Sequence, residues 1–112
     1  MHSTSFKLFH RAILERKQVT CLYNDHYREI CPHILGHKEG EEKALVFQFG
    51  GKTASKLPPD GEWRCFYLKQ VHNAAMREGP WRSSAQHRTS QSCIAEVYVD
   101  VNTDVPNQPG RR

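Results

Sequence analysis

Two arginines, Arg28 and Arg64, are the residues here best suited to chemistry on an anion. A guanidinium is planar, permanently charged and forked, so two of them on one rim grip a phosphate bidentately. Tyr23 precedes Arg28 and adds an aromatic face. His33 lies further along the same run. Between Gly50 and Gly61 stand Lys52, Thr53, Ser55 and Lys56. Glycines let backbone N–H groups approach an anion, and the lysines add charge. Tyr23, Arg28, His33, Lys52, Ser55, Lys56 and Arg64 are therefore the candidate ligand-binding residues. A structural reading stands beside this one. Arg28 and Arg64 can bond Glu29, Glu62 or loop carbonyls, and Arg64 shares its strand parity with Phe66 and Leu68, which points to a bent strand or a buried group.

Charge distribution follows the same division. The net charge is +4 and the pI near 9.0. Residues 52–88 carry seven Lys or Arg against three Asp or Glu, so the surplus resides there. Such a concentration suits nucleic acid or another anion, or forms a solvated face.

Other chemistries find little footing. The Gly50–Gly61 stretch lacks the G-x-x-x-x-G-K-[ST] pattern of a phosphate-binding loop. Cys31, His33, His87 and Cys93 have irregular spacing for zinc, and no metal site is assigned. No Ser-His-Asp order, carboxylate pair or H-E-x-x-H is present, so the sequence reads as a non-enzyme without a cofactor. The cysteines Cys21, Cys31, Cys65 and Cys93 form no C-x-x-C pair and sit among strand-like residues. They read as reduced, buried small hydrophobes of a cytoplasmic protein. The first residues show no signal-peptide pattern, and no apolar run approaches the ~18 residues of a spanning helix.

The elements that must position these residues are short. The chain of 112 residues fits one domain. Phe6, Phe9, Ile13 and Leu14 fall near one face of a helix over about 6–16, with Ser5 as its cap. Residues 1–5 are expected to be flexible. Strands are expected at 18–23, 27–35, 43–49 and 62–68, with a short one at Val71 and an alternating one at 94–101. In that last strand Val97, Val99 and Val101 face inward. Asn24 and Asp25 are turn formers joining the first hairpin, which places Arg28 near the mouth of a small barrel. Pro32 donates no ladder bond, so an edge, bend or bulge is expected there. Residues 74–93 give no consistent pattern, and 102–112 have the composition of a disordered tail.

Two segments resemble the WYL domain of bacterial regulators. The first comprises Val19, Tyr23, Arg28-Glu-Ile-Cys-Pro32 and Leu35-Gly36; the second is Arg64-Cys-Phe66-Tyr-Leu68-Lys-Gln-Val71. With the leading helix, the resemblance spans roughly residues 8–75. It implies a mainly β (α+β) fold, an Sm-like small β-barrel of five to six antiparallel strands with one N-terminal helix, occupying residues 6–101. It also implies a regulatory role in sensing a nucleotide or nucleic acid, with Arg28 and Arg64 at the family's basic positions and Tyr23 at its aromatic one. The tripeptide that names the family is replaced by Leu45-Val46-Phe47, and no winged helix-turn-helix precedes the domain. The expected function is a stand-alone module binding a nucleotide or nucleic acid through a basic patch. The alternative is a structural or interaction domain, joining a regulatory partner or a second copy through an exposed sheet edge near Pro32.

Overall fold

The computed structural model describes residues 2–51, 61–83 and 92–102. Helix α1 (Thr4–Glu15) is followed by strands β1 (Gln18–Tyr23), β2 (His26–Lys38), β3 (Glu41–Gly51) and β4 (Glu62–Tyr67). A 3-10 turn at Leu68–Gln70 leads into β5 (Val71–Arg77), and β6 (Glu96–Asp100) comes last. The strands form one antiparallel sheet of order β4-β3-β2-β1-β5, with β6 paired to the far half of β2. The sheet is not closed: among the described residues no ladder joins β4 to β5.

Helix α1 begins earlier than its apolar spacing predicts. Ser3, not Ser5, is the cap, and its hydroxyl accepts from the Phe6 amide at 3.1 Å. Ser3 and its amide also donate to Glu42, which ties the cap to β3 and draws residues 4 and 5 into the helix. At the other end Arg16 adopts a left-handed conformation (φ 55°), and the Lys17 amide donates to the Ala12 carbonyl. Phe6, Phe9, Ala12 and Ile13 are fully buried. They pack against Val19, Ile30, Leu35, Val46, Phe66 and Val99, the main core. The helix alone is too short to persist in water, and this burial holds it.

Turn chemistry fixes the first hairpin. Asn24 and Asp25 both have positive φ (52° and 66°), and Tyr23 pairs with His26 across them. Two residues in this conformation match the right-handed twist of the flanking strands. Glu39 and Gly40 repeat the arrangement between β2 and β3.

The long strand β2 changes partners halfway. It pairs with β1 up to Ile30 and with β6 from Ile34 onward. Pro32 sits in the gap, paired only with Val46 of β3, where its missing N–H leaves no ladder bond unmade. The expected bulge is there, at His33. The expected exposed edge is not, since β3 flanks β2 on one side and the His33 carbonyl accepts from Val101 on the other. Among the described residues the sheet's edges are β4, β5 and the outer side of β6.

That bulge resets the side-chain alternation. Ile30 and Leu35 enter the main core, whereas Ile34 joins Leu45, Cys93 and Ile94 in a smaller cluster on the opposite face. A second irregularity, in β6 between the Leu35–Val99 and Gly36–Val97 pairs, corrects the expectation for Val97. Val97 is 52% exposed, while Val99 and Val101 are buried as their alternation implies. Tyr98 instead turns toward α1, its ring 5.2 Å from Phe6 and 5.1 Å from His10. Gly36 permits this docking, because a Cβ there would collide with the Glu96 carbonyl.

Candidate functional site

Arg28 and Arg64 come to one end of the inner face through register. Val46 of β3 pairs with Pro32 of β2 and with Arg64 of β4, and Gln48 pairs with Ile30 and Glu62. The two arginines then meet different surroundings. Arg28 is 6% exposed. Its guanidinium donates to Gln48 Oε1 at 3.1 Å and to the Tyr23 carbonyl at 3.3 Å. It lies 5.3 Å from the Tyr23 ring centroid and 5.7 Å from that of Phe66, two rings that stack at 3.8 Å. No carboxylate pairs with it among the described residues. Burial, and then the positive charge of neighbouring Arg64, hold the Arg28 guanidinium below the usual arginine range.

Arg64 keeps about a quarter of its side chain exposed and donates to Glu62 at 2.9 Å. Its Nε, like that of Arg28, is buried without a hydrogen-bond partner among the described residues. Arg64 also borders an open groove of about 390 Å³ along β4. Lys38 and Lys43 bring two more cations to that groove, and Trp63 and Leu45 give it apolar surface. No carboxylate residue lines it among the described residues. The Lys43 ammonium stands 4.4 Å from the ring centroid of Tyr67, its cross-strand partner. Lys38 donates to the Ser92 carbonyl at 2.7 Å, fastening the chain before β6 over the groove. Lys38 and Lys43 bring their charge to this concavity, and Arg64 borders it from β4 while its side chain, paired with Glu62, alternates to the inner face with Phe66. The cationic surplus along the groove favours an anionic ligand.

A disulfide forms part of the same wall. Cys65 of β4 is bonded to Cys93, with their Cα atoms 5.6 Å apart. This corrects the expectation of four reduced cysteines; Cys21 and Cys31 are buried free thiols, as their strand positions imply. Burial pushes the Cys21 thiol up to about 12 and that of Cys31 to about 11, so neither is a nucleophile near neutral pH.

The other candidates fall elsewhere. Tyr23 is 7% exposed, and its hydroxyl accepts from the Tyr67 amide at 2.9 Å, bridging β1 to the end of β4. Burial is also the main reason its phenol is raised. His33 is 2% exposed on the opposite face, between the rings of Trp63 (4.7 Å) and Trp81 (4.8 Å), with Nδ1 donating to the Cys31 carbonyl. Lys52, Ser55 and Lys56 lie outside the described residues, as do His87 and most of the expected C-terminal tail. Sequence reasoning missed Lys38, Lys43, Trp63 and Ser92 as a group. One signal was available: Lys43 shares parity with Leu45 and Phe47, which puts a cation on an otherwise apolar strand face. No group of three or more His, Cys, Asp or Glu suited to a metal occurs among the described residues, and no helix there is long and apolar enough to cross a membrane. No family model, curated protein or solved structure matches this chain.

Proposed function

We propose that this chain is a non-enzymatic regulatory module that binds a phosphate-bearing ligand, a nucleotide or nucleic acid, in the groove along β4. The observation that carries the reading is a concavity lined by Lys38 and Lys43 and bordered by Arg64, with Trp63 in its wall and no lining carboxylate among the described residues. Cations meet phosphate oxygens, and an indole offers a stacking surface to a base. Arg28 acts behind Arg64, as a buried positive charge that raises the local potential. A WYL-like, Sm-like small barrel is the fold that goes with this function. It is supported by the strand order β4-β3-β2-β1-β5, by the single 3-10 turn joining β4 to β5, and by the Tyr23 hydroxyl drawing β4 toward β1. The reading sets the protein in the cytoplasm, where such ligands are abundant. A regulatory partner or second copy would pair with the free edge of β5.

The test is titration of a labelled single-stranded oligonucleotide and of free nucleotides at two salt concentrations, beside thermal melts of the same variants. Arg64→Ala and Lys43→Ala should each weaken binding by roughly tenfold, since a charge-assisted bond contributes about 1.5–3 kcal/mol. Affinity should fall with salt as counterions cease to be released. Absence of binding at low salt, or unchanged affinity in Arg64→Ala, would refute the reading.

A further inference from the structure

We infer that the Cys65–Cys93 bond is a thiol–disulfide switch that sets whether the groove along β4 is formed, an inference that rests on the ligand reading above. Both sulfur-bearing residues line the groove beside Lys38, Lys43 and Arg64. Cys93 is buried at 8% exposure, whereas Cys65 stands on the exposed side of β4, so an external thiolate reaches the bond through Cys65. The cations lower the cost of a thiolate at this position, which speeds departure of the Cys93 sulfur. A disulfide in a cytoplasmic protein is, in most cases, transient and redox-sensing.

The chemistry is a two-electron exchange with a low-molecular-weight thiol such as glutathione. Its thiolate attacks Cys65 Sγ, the S–S bond breaks, and Cys93 leaves as a thiolate that takes a proton from water. A second thiolate attacks the mixed disulfide, releasing Cys65 as a thiol after protonation and the reductant as its own disulfide. The protein gains two electrons and two protons, and two thiol molecules are oxidised.

The structural consequence lies in what the bond fastens. It clamps the chain before β6 to β4, across a sequence separation of 28 residues. Without it, residues 92–95 keep the bond from Lys38 to Ser92, the bond from the Ala95 amide to the His37 carbonyl, and the packing of Cys93 and Ile94 against Ile34, Leu45 and Trp63. The two hydrogen bonds run to β2, and the contact with Trp63 reaches β4. Reduction therefore removes the covalent tie to β4 and leaves packing against Trp63 to hold the groove's far wall, which loosens the wall beside Lys43 and Trp63.

The experiment uses the full chain, oxidised and then reduced with excess glutathione, with the thiol state read by mass after alkylation. Binding of a labelled single-stranded oligonucleotide and far-UV circular dichroism are measured on each form. Reduced protein should keep its sheet spectrum and bind roughly tenfold more weakly, and reoxidation should restore affinity. Cys65→Ser should bind like the reduced form under all conditions. Equal affinity of the two forms, or a bond that resists excess glutathione, overturns the switch and leaves the ligand reading standing. Absence of binding by the oxidised protein overturns both. Reversible reduction of the wild type decides the matter even where Cys65→Ser does not fold.

Discussion

Replacing Arg28 by alanine separates a structural guanidinium from a ligand-binding one. In the native protein Arg28 satisfies Gln48 Oε1 and the Tyr23 carbonyl, and it lies against the Tyr23–Phe66 stack. Arg28→Ala leaves both acceptors without that donor. Gln48 is fully buried, and Arg28 itself is nearly so, so water does not readily take over. Each buried group left unpaired costs about 1–3 kcal/mol. Loss of the cation–ring contacts adds about 0.5–1 kcal/mol. Against this, a buried cation with no carboxylate, repelled by Arg64, no longer has to be desolvated. The balance is a loss of about 3 kcal/mol, or a fall in Tm of roughly 10–20 °C for a domain this size. Arg28→Met retains most of the aliphatic contact and should lose about half as much. Arg64→Ala should be neutral or slightly stabilising, because it removes the repulsion at the cost of one partly exposed pair with Glu62. Urea unfolding followed by circular dichroism measures all three. A midpoint for Arg28→Ala within about 0.5 kcal/mol of the parent would refute the structural role. Unchanged stability with lost oligonucleotide binding would make Arg28 a ligand residue instead.

Two further outcomes follow from local geometry. Cys21 and Cys31 are held protonated by burial, to about 12 and about 11, whereas an unfolded thiol ionises near ~8.5. Their contribution to stability should be fully present below about pH 8.5 and should fall as pH rises toward 11–12, by roughly 1.4 kcal/mol per pH unit for each thiol. Urea midpoints between pH 8 and 11 report it, and Cys21→Ala should make the slope shallower; a slope unaffected by that substitution contradicts the account. Asp25 has φ 66° in the first hairpin. Asp25→Gly should stabilise the protein by about 0.5–1 kcal/mol, because glycine adopts that conformation without steric cost. A lower melting temperature for this variant would show that the Asp25 side chain matters more than its backbone.

The parts of this fold that depend on near neighbours were legible in the sequence. Asn24-Asp25 marks a turn because both side chains tolerate positive φ, and Pro32 marks an interruption because it has no N–H to give. The apolar spacing from Phe6 to Leu14 marks a helix, although its cap moved to Ser3 because Glu42 of a distant strand holds that residue. Six strands and one helix were within reach of such reasoning. So was the proximity of Arg28 and Arg64, which strand count and register allow.

Tertiary structure decided everything that lies beyond a break in alternation. The bulge at His33 sends Ile34 to one cluster and Leu35 to the other, and the irregularity at Tyr98 turns Val97 outward. Periodicity propagates along a strand only while cross-strand pairing stays in step, and that pairing belongs to two segments at once. Strand β5 runs on to Arg77 because β1 is there to pair with it, although His72-Asn73-Ala74-Ala75 has little strand character of its own. The candidate site shows the same dependence. Lys38, Lys43, Arg64 and Cys93 lie on separate strands and segments, and Cys65 meets Cys93 only because β6 docks on β2 rather than beside β5. Residue type announces what each side chain can do; the long-range register of the sheet sets which of them act together.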